Sequence, residues 1–260
     1  MFYTHDLKLL KGEPIIFHFI TQRCKQLIEL LLPAQCLVCA LRSNNKLICL
    51  HCEKKILSDR HYCRHCALPL NKCADYCGDC LQKDYLFTQL HALGDYQKPL
   101  STLIKQLKYQ QQLIAGELLA ELLIKSLLQR YSQQQLSEFD YLLAVPLHRK
   151  KLQQRGFNQA SIICDQLHKT FNIPLLGEQI KRQKETVAQE GLSIHKRQKN
   201  LAEAFSYHNN PPINLAGKNI IIIDDVVTTG ATINSLCKTL KAQQVNSITV
   251  FCISRTGIDK

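Results

Sequence analysis

The chain has no tryptophan, a single methionine, and 21 acidic side chains against 33 basic ones. It also lacks any run of about 18 uninterrupted apolar residues, the length a helix needs to cross a bilayer, so no membrane insertion is expected. The longest early apolar stretch, residues 14–20, contains His18, and Arg23 and Lys25 follow it without a small-residue cleavage site. Secretion is therefore not expected, and the cytoplasm is the expected location. Aromatic residues make up 7% of the chain. Few of them accompany the basic clusters, so any nucleic-acid binding should show slight sequence preference.

What is present bounds the answer further. A chain of 260 residues with 45% hydrophobic residues can bury a real core in one large domain or two unequal ones. Its formal net charge of +12 raises the prospect of a polyanionic partner, a nucleic acid or a phosphorylated substrate. Ten of the thirteen cysteines lie between Cys24 and Cys80, and only Cys164, Cys237 and Cys252 lie beyond. Repeated C-x-x-C pairs in a chain not expected to be secreted favour metal binding over disulfides.

Those pairs form two quartets: Cys36, Cys39, Cys49 and Cys52, then Cys63, Cys66, Cys77 and Cys80. Two C-x-x-C turns present four soft sulfurs to one tetrahedral ion, which suits zinc and leaves no open position for hydrolytic chemistry. Two structural zinc ions are expected, and because each half holds few apolar residues, metal binding should supply much of its folding free energy. Eight thiolates and two divalent cations together change the charge by minus four, to about +8. Cys73, His51, His61 and His65 are spare ligands, with Cys73 able to replace a member of the second quartet. Cross-pairing between the two halves is an alternative.

Three zones follow. Residues 1–32 read as a leader with a helix over 17–32 ending at Pro33, residues 33–88 as a double zinc ribbon, and residues 89–260 as an α/β domain. In the last, strands are expected at 91–96, 141–146, 220–224 and 247–253, and helices at 100–109, 113–131, 158–170 and 232–243. That alternation predicts a parallel sheet covered by helices. Residues 179–198 are polar, basic and without apolar periodicity, and read mainly as a mobile loop.

Within this domain the run Ile220 to Thr232 carries the chemistry. Four isoleucines end in Asp224 and Asp225, and Val226, Val227, Thr228, Thr229, Gly230, Ala231 and Thr232 lead into an amphipathic helix. Small residues let a backbone approach a phosphate, whose charge a helix N-terminus favours. Two carboxylates can accept from the vicinal diol of a ribose or help hold hydrated magnesium. As bare chemistry the acidic pair could equally be a metal site or a phospho-acceptor. The full thirteen-residue run, however, resembles the type I phosphoribosyltransferase fingerprint at every position. A second segment, Ala144 to Arg149 followed by Lys150, Lys151 and Arg155-Gly156-Phe157-Asn158-Gln159-Ala160, lies where α/β sheets bind ligands.

Together with the cysteine module, Arg155-Gly-Phe-Asn-Gln-Ala resembles the ComF family of competence proteins. Lys105 and Lys108 in Leu103 to Tyr109, and Arg182, Thr186, Gln189, Arg197, Asn200 and Phe205, match its further patterns. The resemblance covers Pro33 to the C-terminus; the leader is longer than usual and Cys73 is extra. It implies a type I phosphoribosyltransferase fold that binds 5-phosphoribosyl-1-pyrophosphate with magnesium. Asp224 and Asp225 would contact the ribose hydroxyls as the catalytic pair, and Thr228 to Thr232 would cradle the 5-phosphate. His148, Arg149 and Arg155 would meet the pyrophosphate. It further implies natural transformation and DNA uptake, the handling of incoming single-stranded DNA, and DNA-uptake or recombination proteins as partners. Lys105, Lys108, Lys150, Lys151, Arg182 and Arg197 are the cations assigned to the strand. Whether the site turns over is left open: an active phosphoribosyltransferase of nucleotide metabolism or salvage, with no legible base-selecting segment, is the alternative to a binding or sensing site.

Overall fold

The computed structural model describes residues 34–43, 46–58, 61–70, 75–177, 179–183 and 204–256. The helix expected over 17–32, Cys24, Cys73 and Arg197 lie outside them. The chain divides into two compact units, Met1–Leu50 and His51–Lys260. Among the described residues of the first is a hairpin-like knuckle in which Gln35 bridges Arg42 antiparallel. A short helix, α1 (Leu50–Ile56), begins at the division.

The second unit is built on a four-stranded parallel sheet. Its strands are β1 (Gln89–Asp95), β2 (Tyr141–Ala144), β5 (Asn219–Val227) and β6 (Ser247–Arg255), in the order β1-β6-β5-β2. A parallel sheet covered on both faces needs strands without a polar side, and Ile220, Ile221, Ile222 and Ile223 are all at most 1% exposed. Each such buried side chain contributes about 1.5–3 kcal/mol, which makes β5 the anchor of whatever follows it. Register pairs Ile220 to Ile223 with Ile248 to Phe251 on one side and with Tyr141 to Ala144 on the other.

Helices α2 (Leu100–Gln110), α3 (Leu113–Arg130), α6 (Gln159–Phe171) and α7 (Ala231–Lys241) cover the sheet. In α2 the buried Leu100, Leu103, Ile104 and Leu107 recur at helical spacing, as Ile233, Leu236, Cys237 and Leu240 do in α7. Between them come α4 (Gln133–Ser137), opened by a Ser132 and Gln135 capping box, and α5 (Arg149–Arg155), in which no residue is fully buried. A two-stranded antiparallel hairpin, β3 (Ile180–Arg182) with β4 (Phe205–Tyr207), stands apart from the sheet. The four expected strands and four expected helices are present with small shifts at their ends. Residues 180–182, expected within a loop, instead form β3, because Phe205 to Tyr207 supplies a pairing partner more than twenty residues away.

Because the main strands are parallel, the segments after β1, β2 and β5 all leave from one edge of the sheet. Residues 96–99, 145–148 and 228–230 are therefore brought to the same side, the carboxyl ends where open α/β sheets place their ligands.

Candidate functional site

At that edge β5 does not stop at the acidic pair. It continues through Asp224 and Asp225 to Val227, leaving a loop of only Thr228, Thr229 and Gly230 before α7 begins. Gly230 adopts φ 77°, a conformation other residues rarely take. A Cβ on it would also lie 3.0 Å from Cε1 of Tyr85. The cap residue Gly230 has no side chain to offer α7 and no acidic residue stands in its first turn; the Ala231 N–H has a long bond to Thr229 Oγ1 at 3.4 Å, and the positive end of the helix dipole lies at this loop. Thr228 and Thr229 are exposed, whereas Val226, Ala231 and Thr232 are half-buried.

Two cations stand by the acidic pair: Lys108 forms an ion pair with Asp225 and acts on Asp224 as well, and Arg182 acts on Asp224. Lys108 of α2 reaches Asp225 at 2.8 Å, with the two side chains 17% and 12% exposed. Arg182 of β3, half-buried against the Phe205 ring at 5.5 Å, acts electrostatically on Asp224. Burial first, then the neighbouring Asp225 charge, push the Asp224 carboxyl up to about 8 from its ordinary 3.8, while the Asp225 N–H, Lys108 and Arg182 pull it back. The residue as a whole keeps part of its surface open; the enclosure acts on its carboxyl group. Burial also holds the Arg182 guanidinium below its usual range, and the Asp224 charge partly restores it.

The segment after β2 is a short turn into α5. His148 caps that helix, its Nδ1 accepting from the Lys150 N–H at 3.4 Å, and Gly156 ends it at φ 78°. Arg149 and Lys150 are exposed; Lys151 and Arg155 are half-buried, and Arg155 donates to Gln159 at 3.1 Å. Asn158 fixes the turn back to the sheet by donating to the Val145 carbonyl at 3.0 Å while capping α6 through the Ala160 N–H. Of the six cations assigned from sequence to nucleic acid, the structure places Lys108 and Arg182 with the acidic pair, Lys150 and Lys151 on α5, and Lys105 on the exposed side of α2.

The cysteine quartets repeat one geometry. In each, the N–H of the first cysteine bonds a carbonyl five residues on (Cys36 to Leu41, 2.8 Å; Cys63 to Leu68, 2.9 Å), and an alanine after the second adopts positive φ, Ala40 at 60° and Ala67 at 53°. The four sulfurs of each quartet lie within 4.8 Å of one another. A tetrahedral zinc ion with bonds of about 2.3 Å sets its sulfurs about 3.8 Å apart. The pairs Cys39 with Cys49 and Cys63 with Cys80 at 3.7 Å, and Cys66 with Cys77 at 3.5 Å, fit that ion and are far too long for disulfides. Although burial opposes ionisation, backbone N–H groups bring the Cys36 thiol down to about 6 and the Cys63 thiol to about 7. Burial and the neighbouring sulfur charge push Cys66 up to about 12. Four thiols this close cannot all ionise without a cation, and four cysteine sulfurs are a donor set that suits zinc.

The second quartet is part of the domain core. Cys63, Cys66, Ala67 and Cys77 are buried in one cluster with Phe87, Leu90, Val227 and Ile233. Comparison with known proteins agrees with this division of labour. A model described as a double zinc ribbon domain matches residues 27–81, and one described as a phosphoribosyl transferase domain matches residues 152–259. Competence protein F of Haemophilus influenzae is 35% identical over 211 residues, spanning 80% of this chain and 90% of the relative. The chain belongs to the competence protein F (ComF) family. Among other relatives, DNA utilization protein YhgH of Escherichia coli K12 is 32% identical over 209 residues, 80% of this chain and 90% of its own length. Competence protein ComFC of Bacillus subtilis is 33% identical over 114 residues, 42% of this chain and 43% of that protein.

Lys108, assigned from sequence to nucleic acid, pairs with Asp225 in this structure. Two further residues around the ComF-family site were not singled out from sequence. Tyr85 lies on Gly230, and Arg255, 1% exposed, donates to the Cys66 and Val227 carbonyls. The hint in sequence was a charged residue closing a strand, Ser247–Arg255, in which all but the first residue are buried.

Metal analysis of the purified protein should find about two zinc ions per chain with no visible absorption; one zinc, or an iron cluster, would contradict the assignment of both quartets. The Asp224 carboxyl also makes a pH prediction. Its folded pKa is raised, so the folded state holds the proton more tightly and this contribution to stability is complete below about pH 4 and is lost as pH rises through about 8. Denaturant titrations of ligand-free protein should show stability falling across that window, and Asp224→Asn should flatten the fall. An unchanged slope in the variant would show that Asp224 ionises normally.

Proposed function

We propose that this chain handles incoming single-stranded DNA in DNA uptake and natural transformation, and that its phosphoribosyltransferase-type domain binds 5-phosphoribosyl-1-pyrophosphate with magnesium. The observation that carries the ligand is the sequence of parts at the sheet edge: buried strand, Asp224 and Asp225, the loop Thr228 to Gly230, and a helix start with no acidic residue in its first turn. In this reading the 5-phosphate lies on the N–H groups of Thr228 to Thr232, and the two carboxylates accept from the ribose hydroxyls. Lys108 then leaves Asp225 for the charged ligand. His148, Arg149 and Arg155, after β2 on the same edge, face the pyrophosphate. Magnesium, when bound with the ligand, neutralises the pyrophosphate charge, and no residue here need supply more than oxygen ligands to its hydrated ion.

The DNA reading is supported by the names carried by the relatives, Competence protein F and DNA utilization protein, and by the basic balance of the chain. Lys150 and Lys151 on α5 and Lys105 on α2 offer cations to a phosphate backbone. Arg197 joins them as an expectation only, and DNA-uptake or recombination proteins remain the partners this role calls for. Among the described residues no helix is long and apolar enough to cross a membrane.

A catalytic reading of the same site is favoured by the charges around it. Carboxylates beside the ribose suit the cationic ribosyl transition state formed as the bond to pyrophosphate breaks, with an acceptor nucleophile completing the transfer. A screen for pyrophosphate release against bases, nucleotides and single-stranded DNA separates turnover from binding.

Calorimetry should show magnesium-dependent binding of phosphoribosyl pyrophosphate that is lost in the folded Asp224→Asn, Asp225→Asn double variant, since amides still hydrogen-bond but carry no charge. Unchanged affinity would place the ligand elsewhere. For DNA, binding of a single-stranded oligonucleotide should weaken linearly in log salt, and removing Lys150 should reduce the slope by about 0.7, the single-strand value per phosphate. Absence of saturable binding at near-physiological salt would overturn the DNA role.

A further inference from the structure

The short loop Thr228 to Gly230 is tied at both ends to the second cysteine quartet. At its start, Arg255 donates from Nε to the Cys66 carbonyl at 3.1 Å and from Nη1 to the Val227 carbonyl at 3.2 Å. One guanidinium fork thus joins a residue of the Cys63 to Cys66 turn to the last residue of β5. At the loop's end, Tyr85 places its ring against Gly230, and its hydroxyl lies 3.0 Å from Asp79 Oδ2 and 3.4 Å from the Thr229 carbonyl. Asp79 sits inside the other turn, Cys77 to Cys80. The next residue adds a further tie, the Leu86 N–H donating to the Asn234 side chain in the first turn of α7 at 2.8 Å.

We infer that the second ribbon is a template for the phosphate loop, and that Arg255 and Tyr85 are the positioning residues that transmit it. Each zinc knuckle controls one end of the loop, so the ion that holds the two turns together also fixes the span from Val227 to Gly230. A phosphate site made of backbone N–H groups depends on that span, because its donors converge only when the loop is held in one conformation. The tie through Tyr85 is not a matter of packing alone. A cavity of about 440 Å³ lies beside the ring, lined among others by Lys83, Leu86, Asn234 and Lys238, and the hydroxyl's bond to Asp79 adds a polar tie to the ring's contacts. Its other contacts, Phe87 stacked at 4.9 Å and His65 edge-on at 5.9 Å, belong to the same ribbon-side seam. This inference rests on the reading of the loop as the 5-phosphate site, and its test has a readout that does not.

The variants are Tyr85→Phe, which keeps the ring and removes the hydroxyl's contacts to Asp79 and the Thr229 carbonyl, and Arg255→Lys, which keeps the charge and loses the planar fork that spans the two carbonyls. With zinc content and circular dichroism unchanged from wild type, amide order parameters of Thr228 to Thr232 measured by NMR should fall from about 0.85 toward about 0.6. Titration with phosphoribosyl pyrophosphate and magnesium should show affinity reduced by at least about fivefold, roughly 1 kcal/mol. Order parameters at wild-type values in zinc-loaded Tyr85→Phe would overturn the template, and this variant decides if Arg255→Lys fails to fold. Loosened loop amides in a protein whose wild type binds no phosphoribosyl pyrophosphate would uphold the template and sink the functional reading instead.

Discussion

Two adjacent carboxylates at the end of a strand buried on both faces are tenable only with counter-charge close by, and much of the sheet's carboxyl edge answers that constraint. Lys108 comes from the helix after β1 and Arg182 from the hairpin that stands outside the sheet. Lys108 pairs with Asp225, and both cations act on Asp224. Even so, enclosure and mutual repulsion push the Asp224 carboxyl up, so the ligand-free site is poised for a guest that can donate hydrogen bonds or bring its own cation. A ribose diol with a magnesium-bound pyrophosphate does both, which is the physical reason the proposed ligand suits this edge.

The ribbons answer a different constraint. A closed Cys₄ site has no open coordination position, so its contribution is shape. In the second ribbon that shape merges with the domain: Cys63, Cys66 and Cys77 are core residues among Phe87, Val227 and Ile233, and two side chains run from its turns to the phosphate loop. The short loop between β5 and α7 is therefore contacted at both ends from outside it, by side chains bonded to the second ribbon.

How much of this was legible beforehand follows from the range of each interaction. The isoleucine run of β5 and the 3.6-residue stripes of α2 and α7 are local patterns, and those elements lie where expected. The C-x-x-C spacing is equally local, and both quartets assemble. Strand β3 was missed because Ile180 to Arg182 has no periodicity of its own and is a strand only through Phe205 to Tyr207. Continuation of β5 past Asp225 was hidden because acids ordinarily end strands, and here they are tolerated by cations remote in sequence. Tyr85 and Arg255 act across 144 and 189 residues, a separation at which no spacing rule speaks.

The central claim is that the sheet edge at Asp224 and Asp225 receives phosphoribosyl pyrophosphate, and a crystal structure of the complex with magnesium tests it most directly. The account predicts the 5-phosphate within about 2.7–3.2 Å of backbone N–H groups of Thr228 to Thr232, the ribose hydroxyls on the two aspartates, and Lys108 withdrawn from Asp225. A ligand bound elsewhere, with the Lys108 to Asp225 pair intact at 2.8 Å, would contradict it.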